Sequence, residues 1–476
     1  MLFFSNFKTK SLKKVSVPKK KIWLWKFARL FFVALFLYLI VFFWANISST
    51  LWSYFKNIAW SATKFIAKNI SKEPKKDTLW NVNILLLGIW WKNHDGGYLT
   101  DTIMIASFNL KLKTLTFLSI PRDLYVKYNK YSWWRINYIF AKEYLKTRNY
   151  EKAAQKLKEK INQITWIKIN YFVVVDFGGF EKFIDTLWGI TINVPYNLVD
   201  TRYPGPNRTY TTFKITKWIH HLDGATALKY ARSRHSTSDF SRSARQEQII
   251  KAIIKKLTTS WILFSPSKLK NLYLQFSNTV KTDMDFETIL SFIPYAKELK
   301  IHSYVLHADC YYKKTYWKNL TPWCFVYPAK RDDFNWQAVL LPVWANSLNV
   351  EVYDQTKKFA FIALWYPELW LENAKIQILN WISKIDNKRK FGYSKPLASK
   401  LAYKLKNYGF NVVDVWNASK YFNNNTLYIY NSKPVTQDLL LTFVGKMSYK
   451  TWDVKYAGSG FDMTLILGKK YLDNFR

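Results

Sequence analysis

From Asn83 onward the chain alternates between two hydrophobic periods. Asn83–Leu87, Thr102–Phe108, Thr114–Ser119, Tyr171–Asp176 and Ile190–Val194 are short runs of branched and aromatic residues bounded by turn formers, the pattern of strands. Tyr138–Leu145, Tyr150–Ile164, Phe180–Thr186, Asp223–Arg232 and Arg242–Leu257 repeat their apolar positions every three to four residues, the pattern of helices. Strands and helices mixed in this way predict a layered α/β/α domain with a central mixed sheet over 81–345. After a connecting segment, 346–373, the pattern restarts. Strands at Lys375–Leu379, Asn411–Val415, Thr426–Tyr430 and Met463–Leu467 and a helix at Pro396–Asn407 predict a small C-terminal α/β domain over 374–476, about 100 residues and an ordinary domain size.

The N-terminal pattern is different. Leu30–Ala45 reads LFFVALFLYLIVFFWA without a polar break; with its flanks it approaches the 17–20 residues that cross a bilayer. Residues 1–29 carry nine Lys and Arg and no acid. This predicts a cytoplasmic basic tail, a transmembrane anchor at 30–45, a stalk at 46–80 and an extracytoplasmic remainder. A cleaved signal peptide competes, but no clear small-x-small site follows the run.

Composition changes the picture in two ways. The net charge is +40, from 72 Lys and Arg against 32 Asp and Glu, which favours anionic partners such as lipid headgroups, phosphate polymers or nucleic acid. Tryptophan, at 23, outnumbers glycine, at 14, in a chain of 476; about 7% glycine would be usual. The Trp residues also fall in turn contexts: Trp90-Trp91 after a strand, Trp133-Trp134 in YSWWRIN, Trp166 in QITWIKIN, Trp188 in DTLWGI, and Trp218 in ITKWIHHLDG. Turns favour glycine because it reaches positive φ without strain. A gene whose UGA codons mean glycine, read with a code in which UGA means tryptophan, would produce this pattern. On that reading Trp90, Trp91, Trp133, Trp134, Trp188, Trp218, Trp381 and Trp416 are expected in loops and poorly buried. The two cysteines, Cys310 and Cys324, cannot form a metal cage alone; outside the cell they could pair, and otherwise they are small apolar residues.

The candidate chemistry is concentrated. Asp95 and Asp101 bracket the first loop, Arg122 and Asp123 follow a strand in SIPRD, and KYARSRHSTSDFSRSARQ carries Arg232, Arg234, Asp239, Arg242, Arg245 and Gln246. Several guanidinium forks in one place match a multiply charged phosphate, and carboxylates beside them suit a hard ion such as Mg2+. For any one arginine a solvated surface role is the simpler reading; for the set, a site is. His94, His220, His221 and His235 have no trustworthy metal spacing, and the His220-His221 pair suits a helix start better. No nucleophile motif supports a Ser-His-Asp hydrolase.

SIPRD, GGFEKFIDTLWGITINVP, HHLDGATALKYARSRH and DFSRSARQEQII, in this order, resemble the signature blocks of the LytR-CpsA-Psr family of cell-wall glycopolymer ligases over roughly Val82 to Leu257, with weaker similarity to about Ala345. The family has glycine where this chain has Trp188 and Trp218. The last 100 residues are similar to a LytR-type C-terminal domain, whose glycines fall at Trp381 and Trp416. The resemblance implies transfer of a glycopolymer from a polyprenyl-pyrophosphate carrier to a peptidoglycan hydroxyl, releasing polyprenyl phosphate. It implies that Arg122, Arg232, Arg234 and Arg245 grip the pyrophosphate beside Gln246. Asp101 and Asp95 would hold Mg2+ (or Mn2+), and Asp239 and Arg242 would complete a catalytic set with Asp101 and Arg122, one carboxylate serving as base. The prenyl tail would lie in a channel between sheet and helices. Many family members have Arg where this chain has Leu99; Lys92 is the candidate substitute. A membrane-anchored nucleic-acid-binding regulator and a non-catalytic binder of wall polymer or polyprenyl lipid are the competing classes; acids set among the arginines oppose nucleic acid as a partner.

Overall fold

The computed structural model describes residues 73–90, 97–205, 209–233, 239–259, 266–277, 279–296, 298–306, 325–380, 397–418, 422–451 and 460–471. The expected anchor at 30–45, most of the stalk, both cysteines, Lys92, Asp95, Arg234, Trp91 and Trp381 lie outside them, as does the side chain of Asp239. Among the described residues no helix is long and apolar enough to cross a membrane.

The first strands are β1 (Asn81–Ile89), β2 (Thr100–Asn109), β3 (Thr114–Ser119) and the hairpin β4 (Tyr125–Asn129) with β5 (Ser132–Arg135). Helices α1 (Asn137–Thr147) and α2 (Tyr150–Thr165) lead to β6 (Tyr171–Asp176) and α3 (Phe177–Thr186). Then come β7 (Ile190–Val194), β8 (Leu198–Pro204), β9 (Tyr210–Ile215), β10 (Trp218–Leu222), α4 (Gly224–Arg232), α5 (Asp239–Thr259) and α6 (Pro266–Phe276). Strand β11 (Val280–Thr282), short helices α7 (Phe286–Leu290) and α8 (Ile293–Ala296) and strand β12 (Lys300–Val305) complete the sheet.

That sheet is six-stranded, ordered β11-β6-β1-β2-β3-β12. It is mixed: β1 runs parallel to β6 and antiparallel to β2, and β3 runs antiparallel to β2 and parallel to β12. Side chains alternate between its faces with period two. One face, with Leu85, Leu87, Ile103, Ile105, Leu118 and Phe172, packs against Ile139, Phe140, Leu157 and Ile161 of α1 and α2. The other, with Val82, Met104, Ala106, Phe108, Leu115 and Phe117, faces Ile250 and Ile254 of α5 and the short helices. A smaller layer formed by β7–β10, α3 and α4 packs around Ile190, Ile192, Leu222, Tyr230 and Ile249.

The segment 346–373 carries two helices. After β13 (Val326–Pro328) and β14 (Leu340–Pro342), α9 (Asp354–Trp365) buries Phe359, Ala360 and Ala363, and α10 (Glu368–Glu372) follows. The C-terminal sheet is five-stranded, ordered β16-β15-β19-β17-β18: β15 (Ile376–Asn380), β16 (Val412–Asn417), β17 (Thr426–Ile429), β18 (Ser448–Thr451) and β19 (Met463–Leu467). Helices α11 (Leu397–Asn407) and α12 (Pro434–Val444) accompany it; Leu397, Leu401 and Leu405 form the buried stripe of α11. Tyr304 of β12 meets Phe359 edge-on at 5.7 Å, and Phe359 meets Tyr408 at 5.9 Å, so one aromatic seam joins the two sheets' cores.

Candidate active site

A cavity of about 1150 Å3 lies between the second face of the sheet and α5. Its wall is apolar: Ile84, Leu86, Ala106, Phe117, Ile250 and Ile254 are representative. The alternation of β1 to β3 points these residues away from α1 and α2, and α5 stands off far enough to leave the space open. The polar lining includes Asp101, Arg122, Arg232, Arg242 and Gln246.

Asp101 and Arg232 arrive at a strand start and a helix end, Arg122 in the turn after β3, and Arg242 and Gln246 on the N-terminal part of α5. Asp101 sits near the start of β2, and Arg122 sits two residues after β3's continuation at Ile120. Arg122 Nη1 donates to Asp101 Oδ1 at 2.6 Å, and Asp123 lies 3.6 Å from Arg122 Nε and 3.3 Å from Arg135. Arg232 closes α4. Its guanidinium lies over Trp90 (4.5 Å), Phe177 (4.7 Å) and Tyr203 (5.5 Å), and Nη1 donates to the Tyr203 hydroxyl at 3.2 Å. Burial raises the Tyr203 phenol while Arg232 opposes it. The indole N–H of Trp90 donates to Asp101 Oδ2 at 2.7 Å. Gln246 Nε2 reaches Thr102 Oγ1 at 3.3 Å, tying α5 to β2. Burial raises the Glu181 carboxyl, helped by Asp185 and opposed by Arg232.

The frame around this mouth is built from helix caps. Asp176 accepts from Gly179 N–H at 2.6 Å, and Asp223 accepts from Thr226 N–H at 2.8 Å. These are N-caps, which satisfy donors that the helix cannot. The hydrogen bonds from Thr226 hold the Asp223 carboxyl below its usual range. Gly224 allows α4 to approach α3: a Cβ there would lie 2.2 Å from the Glu181 carbonyl oxygen. The histidine pair is not a helix start. His220 and His221 lie in β10, and the ring of His221 contacts the Trp188 carbonyl at 2.7 Å.

The cluster therefore assembles Asp101, Arg122, Arg232, Arg242 and Gln246 around one opening; Asp239 is the first residue of α5, three before Arg242. Arg245 is placed elsewhere. It is 2% exposed, does not line the cavity, and donates from Nε to the Tyr230 carbonyl at 3.0 Å and from Nη2 to the Ser233 carbonyl. Arg245 stands about 100° around α5 from Gln246, which lines the opening, and its guanidinium is drawn to the carbonyls at the end of α4. A direct pyrophosphate grip is expected of Arg245, but in this structure it is bonded to the backbone at the end of α4 instead. Arg245→Ala should leave both carbonyls without this donor in a buried place, at about 1–3 kcal/mol each. Thermal denaturation should show a clear loss of stability, a measurable share of the usual 5–15 kcal/mol.

The sequence reading missed Asp200, Ser233, Phe177 and Tyr203. Asp200 is 1% exposed in β8 and accepts from Ser233 Oγ at 2.8 Å. The available signal was LVDTRYP, in which Asp200 takes the inward position that Leu198 begins.

The family model of the LytR_cpsA_psr family matches residues 43–326, more than half of the chain, and the chain belongs to that family. A relative in Bacillus licheniformis, "Polyisoprenyl-teichoic acid--peptidoglycan teichoic acid transferase TagU", is 27% identical over 231 residues, covering 47% of this chain and 68% of its own. "Regulatory protein MsrR" of Staphylococcus aureus is 29% identical over 218 residues, covering 44% of this chain and 60% of its own. The crystal structure of Bacillus subtilis TagV is 23% identical, with a TM-score of 0.44, over 61% of this chain and 99% of that one.

Proposed function

We propose that this protein is a membrane-anchored phosphotransferase that moves a glycopolymer from a polyprenyl-pyrophosphate carrier to peptidoglycan. The observation that carries the reading is the junction of a long apolar cavity with an Asp-Arg mouth. A ligand suited to both is amphiphilic, with a hydrocarbon tail and a multiply charged phosphate head. A nucleic-acid ligand would use the arginines and leave the cavity without a purpose. Membership of the family and the teichoic acid transferase relative support the same reading.

In the reaction a peptidoglycan hydroxyl oxygen attacks the sugar-side phosphorus. The new P–O bond forms as the bond to the bridging oxygen breaks, and polyprenyl phosphate carries away that oxygen and its electron pair. The hydroxyl proton passes to a carboxylate, with Asp101 and Asp239 as the candidates. Arg122, Arg232, Arg242 and Gln246 orient the diphosphate and balance the charge that develops on it. The apolar wall holds the tail and fixes the head at the mouth.

Mg2+ would suit this site. Among the described residues no group of three His, Cys, Asp or Glu could hold a metal. Mg2+ does not need such a cage, because it is usually bound through one or two carboxylates plus substrate phosphates. Asp101 lines the opening and would be the protein ligand, with Asp95 as a second candidate. The ion would neutralise phosphate charge. Transfer should stop on chelation, return with Mg2+ or Mn2+, and be lost in Asp101→Asn; full activity in a chelator would remove the metal role.

Leu30–Ala45 would anchor the chain, with the basic tail in the cytoplasm and the catalytic domain outside. The five-stranded unit is the counterpart of the LytR-type C-terminal domain. Purified full-length protein, a synthetic polyprenyl-pyrophosphate glycan and peptidoglycan should yield a phosphodiester-linked polymer and polyprenyl phosphate. Hydrolysis or no turnover under these conditions would contradict the proposal.

A further inference from the structure

Five of the ten non-glycine residues at positive φ among the described residues are tryptophans: Trp80 at 66°, Trp166 at 61°, Trp188 at 54°, Trp336 at 62° and Trp344 at 72°. With 23 Trp in 476 residues, chance would place about half of one there. The left-handed region crowds the Cβ of an L-residue against the following carbonyl, and a bulky side chain there is an outlier. Three of the five close helical turns. The Trp166 N–H donates to Asn162 at 2.8 Å, that of Trp188 to Asp185 at 2.8 Å, and that of Trp336 to Arg331 at 2.9 Å. These are the positions after a helix or turn where glycine is usual.

No burial compensates for the strain. Trp188 is 77% exposed, Trp336 76% and Trp166 64%. Lys357 lies 4.8 Å over Trp166 and Lys76 3.8 Å over Trp80, but exposed cation–π contacts return less than the backbone costs. Elsewhere, the indole N–H groups of Trp134, Trp365 and Trp370 are buried without a hydrogen-bond partner, against the habit of buried tryptophan. Trp218 and Trp416 are 74% and 68% exposed, although they lie in strands β10 and β16 rather than loops; Trp133 and Trp134 lie in β5.

We infer that the protein made in its own cell carries glycine at positions 80, 166, 188, 336 and 344, their codons being UGA read there as glycine. The same exchange at Trp90 has a consequence for the site, which rests on the proposed function. The Trp90 indole occupies one oxygen of Asp101 and one face of Arg232. Glycine would remove the indole from the mouth and leave its room to a diphosphate head beside Arg232.

The test is peptide sequencing by mass spectrometry of the full chain isolated from its own organism. Glycine at 166 and 188 is expected; tryptophan at both overturns the inference. Independently, a recombinant chain with glycine at the five positions should melt several degrees above the tryptophan chain, and a lower melting temperature counts against the inference. Trp90→Gly should tighten binding of inorganic pyrophosphate at least about tenfold. Glycine in the native peptides with unchanged pyrophosphate affinity would keep the codon assignment and overturn the open seat alone.

Discussion

Arg232→Ala should lower transfer on the order of 100-fold while leaving the fold in place. Arg232 ends α4 at the cavity mouth, is half-buried, and presents its guanidinium edge beside Tyr203. A hydrogen bond to a charged group contributes about 1.5–3 kcal/mol, and each 1.36 kcal/mol is tenfold in rate. The upper part of that range applies because the rings of Phe177 and Tyr203 screen the guanidinium from water. Arg232→Lys should recover only part of the loss, since an ammonium lacks the planar fork. Arg122→Ala should be as severe for a further reason: it also leaves Asp101 without its 2.6 Å partner. Steady-state transfer rates, with melting temperature as the control for folding, check both. Unchanged rates would remove these residues from the phosphate role.

Ile250→Trp should separate long-tailed from short-tailed donors. Ile250 lies on α5 and lines the cavity opposite the β1–β3 face. A larger side chain there shortens the space open to a tail. Burial of hydrocarbon contributes about 0.8 kcal/mol per CH2, so excluding one five-carbon unit removes roughly 4 kcal/mol, on the order of 1000-fold. A long-chain carrier should lose this much, and a one- or two-unit analogue should be nearly unaffected. Equal losses for both donors would show damage to the mouth or the fold instead.

Much of the central architecture was legible because its signals are local. Thr114–Ser119, Tyr171–Asp176 and Ile190–Val194 fall on β3, β6 and β7 without a shift, and Tyr150–Ile164 differs from α2 by one residue. The hairpins β4–β5 and β8–β9 were not legible. The β4–β5 turn has no glycine, and although Pro204-Gly205 marks the β8–β9 turn, the largely exposed strands beside it carry too few apolar residues to stand out. At the site, residue types and order were enough to single out Asp101, Arg122, Arg232, Arg242 and Gln246, which line one opening, because carboxylates and guanidiniums stand out against apolar strands. Which guanidinium faces the opening was not legible. Arg242 and Arg245 differ only by helical phase, and the turn of α5 against α4 decides it. Asp200 escaped notice because a single buried carboxylate becomes meaningful only when Ser233 is beside it. The cavity itself depends on the distance at which α5 stands from the sheet, a tertiary quantity with no local signal.

The central claim is that the cavity holds a polyprenyl tail with its phosphate head at the Asp-Arg mouth. Native mass spectrometry of the full chain, purified from membranes in detergent, tests it most directly. The account predicts a bound polyprenyl phosphate or pyrophosphate that is retained in Arg245→Lys and lost in Ile250→Trp. A chain that copurifies with nucleic acid, or with no lipid in either form, would contradict it.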